Sequence, residues 1–318
     1  MVAGLVAVVL AGCLGCSADA PEAPGGTAPS PTASVPSTVA PPPAATPTPT
    51  PAALTLPRGG RTVFPTHRLV GYAGRTGSPT LGRLGTGRLD QRVEEMIERA
   101  EPYAADGRTI LPVMEVIATV VQGSPGRDGM YRTRMPDRQV AAYLRAARRH
   151  RAVLLLAIQP GRSEFRTEVE AYERWLREPD VGVALDPEWA MDRDDVPGRT
   201  FGHTTGRELD GVSRYLSGLT TQHGLPEKIM VFHELAPQIV TGEGGLKPHR
   251  GVAVVKSVDG IGVPAAKVDT YRRVYADSPD FVRPGFKLFY DEDRETGPLM
   301  KPAEVLRLRP RPEYVLYE

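Results

Sequence analysis

Residues 181–189 read Val-Gly-Val-Ala-Leu-Asp-Pro-Glu-Trp, and the fold reading starts from this stretch. Val181 to Leu185 is an unbroken apolar or small run, closed by a carboxylate, a proline and a second carboxylate. A strand covered on both faces has this continuous character, whereas a strand with one wet face alternates. Apolar runs of strand length recur at Leu69–Gly74, Ile110–Val120, Val153–Ile158, Ile229–Phe232, Val252–Val255, Phe286–Tyr290 and Tyr314–Tyr317, which with Val181–Leu185 makes eight. Most are close to continuous in apolar residues, as the strands of a parallel sheet are.

Helical stripes lie between the runs. Val93, Met96, Ile97 and Ala100 share a face, as do Val140, Tyr143, Leu144 and Ala147 behind Asp137, which reads as an N-cap. Val169, Tyr172, Trp175 and Leu176 form a third stripe, Leu209, Val212, Leu216 and Leu219 a fourth, and Val268, Tyr271, Val274 and Tyr275 a fifth. The segments after the fifth and seventh runs are short or loop-like. Strand and helix alternating eight times over some 260 residues predict an α/β protein, a (β/α)8 TIM-like barrel. An open doubly wound sheet is the alternative. Its dinucleotide-binding form needs a glycine fingerprint directly after a strand. Gly85-Thr86-Gly87 follows no clear strand and has Asp90 where the third glycine belongs.

Upstream the composition changes. From Ser17 to Pro57 the chain is largely Pro, Ala, Thr and Ser, with Asp19 and Glu22 its only charges. It cannot bury enough apolar surface to offset the entropy of ordering, so residues 17–57 are expected to be a disordered, extended tether. Residues 58–318 form the barrel domain. All 39 basic residues fall there, against the 38 acidic ones less Asp19 and Glu22, so the domain is near neutral and nucleic acid is not the expected partner. Arg145, Arg148, Arg149 and Arg151 sit on a helix and read as a solvated face.

Residues 1–16 carry an address. Val2–Gly12 is apolar and uncharged, too short for the roughly 20 residues of a membrane span, and ends in Leu10-Ala11-Gly12-Cys13. This tetrapeptide resembles the lipobox of bacterial lipoproteins, although no Lys or Arg precedes the apolar run. The resemblance implies cleavage before Cys13, lipidation of Cys13, and an extracytoplasmic domain anchored at the cell membrane. Cys13 and Cys16 are the only cysteines, which excludes disulfides, thiol nucleophiles and cysteine metal sites from the barrel domain.

In such barrels chemistry collects where strands end. If the fourth strand continues to Glu188, then Gly182, Ala184, Asp186 and Glu188 share the face toward the axis. Two carboxylates roughly 6.5–7 Å apart raise at least one pKa, giving an acid beside a base, as glycoside hydrolysis requires. Asp186-Pro187 also reads as the start of a turn. The Asp-x-Glu at this strand end resembles the motif of family-18 chitinases and family-25 lysozymes. That likeness implies Glu188 as general acid and Asp186 as its partner. The two further aspartates of the chitinase pattern are absent, with Gly182 and Ala184 in their places. Leu185–Met191, Pro160–Ser163 and Phe286–Tyr290 are together similar to an uncharacterised family of exported actinobacterial barrel proteins, which implies no particular activity.

Other strand ends supply candidates for binding substrate: Tyr72 on the first, Gln159 and Arg162 on the third, His233 or Glu234 on the fifth, Asp259 on the sixth, Tyr290 and Asp291 on the seventh. Glu115, inside the second run, is either a mouth residue or half of a buried pair, with Lys256 as a possible partner. The expectation is a glycoside hydrolase acting on cell-wall or environmental glycans, needing no cofactor. A non-catalytic glycan- or envelope-binding lipoprotein is one alternative. A phosphoesterase with a divalent cation on Asp186, Glu188, His233 and Asp259 is another. Gly161-Arg162-Ser163-Glu164-Phe165 lacks the second glycine of a nucleophile elbow. No His-Glu-x-x-His or P-loop sequence occurs. His249-Arg250-Gly251 precedes a strand, where glycerophosphodiesterase chemistry would have it follow one.

Overall fold

The computed structural model describes residues Ala53–Glu318. Cys13, the leader and most of the tether lie outside the described residues. Eight strands form the barrel: β1 (His67–Gly74), β2 (Thr109–Val121), β3 (Val153–Ile158), β4 (Val181–Leu185), β5 (Lys228–Glu234), β6 (Val252–Val258), β7 (Arg283–Leu288) and β8 (Tyr314–Tyr317). Each pairs in parallel with its neighbours in sequence, and β1 pairs with both β2 and β8, closing the ring. This is the expected TIM-like barrel. The packing takes in Leu56 as well, which is buried ahead of Arg58.

The apolar residues divide by strand parity. Leu69, Leu111, Val113, Leu155, Ala184, Ile229, Val231, Val255, Tyr314 and Leu316 pack together inside the ring. Val70, Met114, Leu154, Leu156, Val183, Met230, Val254, Phe286 and Val315 pack outward against the helices. Both faces are dry, which is why the runs do not alternate in hydrophobicity. Small residues on the inner face make room for large ones. A side chain at Gly182 would come within 2.5 Å of the Ile229 carbonyl oxygen and 2.8 Å of Leu155.

The expected helical stripes are buried faces in α1 (Leu89–Ala100), α2 (Asp137–Arg149), α5 (Gly206–His223) and α6 (Pro264–Tyr275). Two local expectations are corrected. Asp137 is the first helical residue and Pro136 the cap; the Asp137 carboxylate instead accepts from Trp175 Nε1 at 2.9 Å. The third stripe is broken into α3 (Phe165–Glu170) and α4 (Glu173–Leu176). Tyr172 between them donates its hydroxyl to the Ala118 carbonyl at 2.7 Å, tying the break to the end of β2. Between β5 and β6 the chain forms a loop with a two-residue strand, Val240–Thr241, paired with Thr204–Thr205. Short helices α7 (Glu292–Thr296) and α8 (Pro302–Val305) follow β7. No helix among the described residues is long and apolar enough to cross a membrane.

Candidate active site

Strand β4 stops at Leu185, and Pro187–Trp189 is a single 3₁₀ turn. Proline has no N–H to continue the ladder and its fixed φ suits the first turn of a helix. The expected extension of the strand to Glu188 is therefore corrected. The turn nevertheless delivers Asp186 and Glu188 into one cleft at the carboxyl-terminal end of the barrel. This cleft has a volume of about 510 Å³. Glu115, Asp259, Lys287 and Glu318 complete its charged floor, and Trp189, Phe201, Leu235, Ile261 and Phe289 line its apolar side.

Alternate inward residues of successive strands build the floor. In β5, His233 points inward and Glu234 outward. His233 Nδ1 lies 2.8 Å from Asp259 Oδ2, and Nε2 lies 3.1 Å from Glu115 Oε1 and 3.9 Å from Asp186 Oδ1. Tyr314 donates its hydroxyl to Glu115 Oε2 at 2.5 Å, and Ser257 donates to Asp259 Oδ1 at 2.8 Å. Lys287 Nζ bridges Asp259 at 3.1 Å and Glu318 at 2.5 Å. Every member is nearly or fully buried except Glu318 and Glu188, which are partly exposed. Glu188 Oε2 is nonetheless buried and has no hydrogen-bond partner.

Electrostatics separate the carboxyl groups. Burial pushes Asp186 up to about 7, with Glu115 and Asp259 adding to the rise and His233 and Lys287 opposing it. Burial, then the neighbouring Asp186, holds Glu188 well above the usual carboxylate range. Burial also works against ionisation of Asp259, but His233 and Lys287 outweigh it and keep that carboxyl far below its ordinary value. His233 responds in the opposite sense. Burial disfavours its charge, yet Asp259 and Glu115 hold it as the imidazolium. The floor thus joins a fixed anion, Asp259, and two fixed cations, His233 and Lys287, to two carboxyl groups that keep their protons to unusually high pH.

Of the residues expected from the sequence, Asp186, Glu188, Glu115, Gln159 and Asp259 line the cleft, and His233 lies against its floor. Four others do not belong to it. Tyr72 points outward, is fully buried, and bonds Glu95 and Tyr290 at 3.0 Å each. Tyr290 stacks on Tyr317 in the same outer cluster. Asp291 is exposed beyond the end of β7 and lines a smaller neighbouring recess, which shares Thr80 and Glu318 with the cleft. Arg162 covers the Tyr131 ring and donates to the Asp195 carbonyl at 2.7 Å. Strand parity explains Tyr72: Leu69, Gly71 and Ala73 take the inward positions, so Tyr72 cannot. Glu115 is also re-paired. Its partners are Tyr314 and His233, while Lys256 lies on the outer face of β6 against Glu234 at 3.1 Å, and against Glu243.

The sequence reading missed Lys287, Tyr314, Ser257, Glu318, Phe289 and Phe201. A signal existed for most of them. In Gly285-Phe286-Lys287-Leu288-Phe289 the outward set is Phe286 and Leu288, so parity alone places Lys287 inside. Phe201, on the long loop after β4, had no such signal.

Among the described residues, no three His, Cys, Asp or Glu side chains are arranged to hold a metal ion. The four residues considered for a divalent cation include His233 and Asp259, which are already bonded to each other, and the Lys287 ammonium lies against the same carboxylate. Comparison with known proteins gives neither a matching family nor a similar curated protein.

Proposed function

We propose that this chain is a glycoside hydrolase held outside the cell by a lipid on Cys13, acting on cell-wall or environmental glycans. One observation carries the catalytic part: Asp186 and Glu188 border a single cleft, burial holds both above the usual carboxylate range, and the Glu188 carboxyl has an unpartnered, buried oxygen. Glu188 is the general acid that protonates the departing glycosidic oxygen. Asp186, which faces His233 and Lys287, places negative charge beneath the anomeric carbon as nucleophile or as base for water. The His233 imidazolium and Lys287 favour that ionised form. Trp189, Phe201 and Phe289 give apolar faces on which sugar rings can lie, and Gln159 offers an amide. The anchoring part is supported by Leu10-Ala11-Gly12-Cys13 and the Pro-rich tether that follows.

The test is release of reducing ends from a polysaccharide panel by the wild type and by Glu188→Gln. Activity in the wild type that the variant loses supports the reading. Equal rates, or none in either protein, reject it.

A second reading has one observation in its favour. Phe201 and Ile261 on the cleft rim are 63% and 56% exposed, as a glycan-binding surface without catalysis would have them. That protein would still be retained on insoluble cell wall after Asp186→Asn and Glu188→Gln together.

A further inference from the structure

The charge distribution of the cleft restricts what can enter it. Five carboxyl side chains line it, those of Glu115, Asp186, Glu188, Asp259 and Glu318. Among the described residues lining it, Lys287 is the one lysine and there is no arginine. That lysine is already engaged, 3.1 Å from Asp259 and 2.5 Å from Glu318. His233 lies beneath the floor, with Nδ1 hydrogen-bonded to Asp259 at 2.8 Å and Nε2 3.1 Å from Glu115 Oε1. An anionic ligand is usually met by a free guanidinium, a free ammonium or backbone N–H groups at a helix start. The uncharged groups that line the cleft are of another kind: the Gln159 amide, whose Oε1 already accepts from the Val121 N–H at 3.2 Å, the Thr80 and Thr270 hydroxyls, and the rings of Trp189, Phe201 and Phe289. They suit hydroxyl groups and the apolar faces of sugar rings.

Resting on the glycan reading above, we propose that the cleft selects sugar chains free of carboxylate, sulfate or phosphate groups, and that Glu318 is a specificity residue that enforces this by occupying Lys287. Glu318 suits the role by position. It is partly exposed at the cleft edge, whereas Asp259 on the other side of the ammonium is buried and also bonds His233 and Ser257. Neutralising Glu318 therefore releases one side of the lysine toward the cleft while the floor network stays intact.

The experiment is titration calorimetry on the full chain with size-matched oligosaccharides. Xylo-, cello- and N-acetylchito-oligosaccharides form the uncharged set and oligogalacturonate the carboxylated one, each tested against the wild type and Glu318→Gln. The expected result is at least one uncharged oligomer bound about tenfold or more tighter than oligogalacturonate by the wild type, with the gap narrowed in the variant. Equal or tighter binding of oligogalacturonate by the wild type overturns the proposal without the variant having to fold. A gap unchanged in a folded Glu318→Gln overturns the role of Glu318. Binding of neither set overturns this inference together with the glycan reading. Selective binding of an uncharged oligomer that is never cleaved upholds the selection and rejects catalysis alone.

Discussion

His233 Nδ1 lies 2.8 Å from Asp259 Oδ2, a contact that joins β5 to β6 across the floor of the cleft. The same carboxyl group meets Lys287 at 3.1 Å and accepts from Ser257 at 2.8 Å. Asp259 is thus the shared counter-charge of two buried cations. Removing one member of such an arrangement leaves the others uncompensated, which costs about 3–5 kcal/mol. Asp259→Asn is expected to lower stability by that order in denaturant unfolding at pH 7. Because the folded-state pKa of Asp259 is depressed, its contribution is present above the ordinary carboxylate range and is lost as pH falls through the folded value. The gap between wild type and variant should close toward strongly acidic pH. A gap independent of pH would show that the charge is not what stabilises.

Glu188→Gln keeps shape and removes the proton donor. A positioned general acid typically contributes a factor of about 10²–10⁴, so kcat on an unactivated glycoside should fall by that order. Glu188 Oε2 has no hydrogen-bond partner to lose, so Tm is expected to stay the same or rise. A collapse in Tm alongside the loss of activity would assign Glu188 to the fold.

The pH profile follows from the raised pKa of both carboxyl groups. Asp186 must be ionised and Glu188 protonated for turnover. The plot of kcat/KM should be displaced above the ordinary carboxylate range on both of its arms, with one arm near 7 from Asp186. Stability moves the other way. The folded-state pKa of Asp186 is raised, so protonation favours the folded state, and stability is lost as pH rises from the ordinary carboxylate value to about 7. Asp186→Asn removes this dependence and should gain on the wild type over that window, by up to a few kcal/mol at roughly 1.4 kcal/mol per unit. A wild-type activity profile flat from pH 5 to pH 8 would contradict the assignment.

Tyr290→Phe and Asp291→Asn should leave glycan cleavage within about twofold of wild type, because both residues lie outside the cleft. Tyr290→Phe breaks a buried hydroxyl contact with Tyr72 and is expected to cost about 1 kcal/mol in thermal unfolding. A large kinetic loss in either variant would return the residue to the site.

Gly182→Ala tests the packing inside the ring. The added methyl group would meet the Ile229 carbonyl oxygen at 2.5 Å, and backbone on a paired strand cannot rotate away. Overpacking of this kind costs about 1–3 kcal/mol. Urea unfolding should show it, whereas Gly211→Ala, inside α5 where a methyl group would meet nothing within 4 Å, should be neutral or stabilising by up to about 1 kcal/mol.

The architecture was legible because it rests on local periodicity. The Val181–Leu185 run and its seven counterparts have the hydrophobicity of strands dry on both faces, and a closed parallel ring is a fold in which every strand meets that condition. Strand boundaries were less legible. His233 and Glu234 continue β5 past Phe232 with polar side chains, because His233 finds Asp259 inside and Glu234 finds Lys256 outside. Both charges are compatible with a buried strand only through partners distant in sequence. Asp186 and Glu188 were found from strand alternation, although Pro187 ends the strand and a 3₁₀ turn puts them in place. Tyr72 and Tyr290 were misplaced because an aromatic near a strand end suits a wet mouth and an outer core equally, and only parity separates the two.

What the sequence alone determined is the order of strands and long helices, the faces that α1, α2, α5 and α6 bury, and the pair of carboxyl residues at the end of the fourth strand. These follow from interactions within a few residues, where spacing and residue type are sufficient. Which groups meet was decided by the tertiary structure. Glu115 turns to Tyr314, 199 positions away, and Lys287 sits between Asp259 and Glu318. Such pairings arise only when the ring closes and places inward residues of every strand within ion-pair reach around one axis. Water is displaced there, so each charge must be matched by whichever strand faces it.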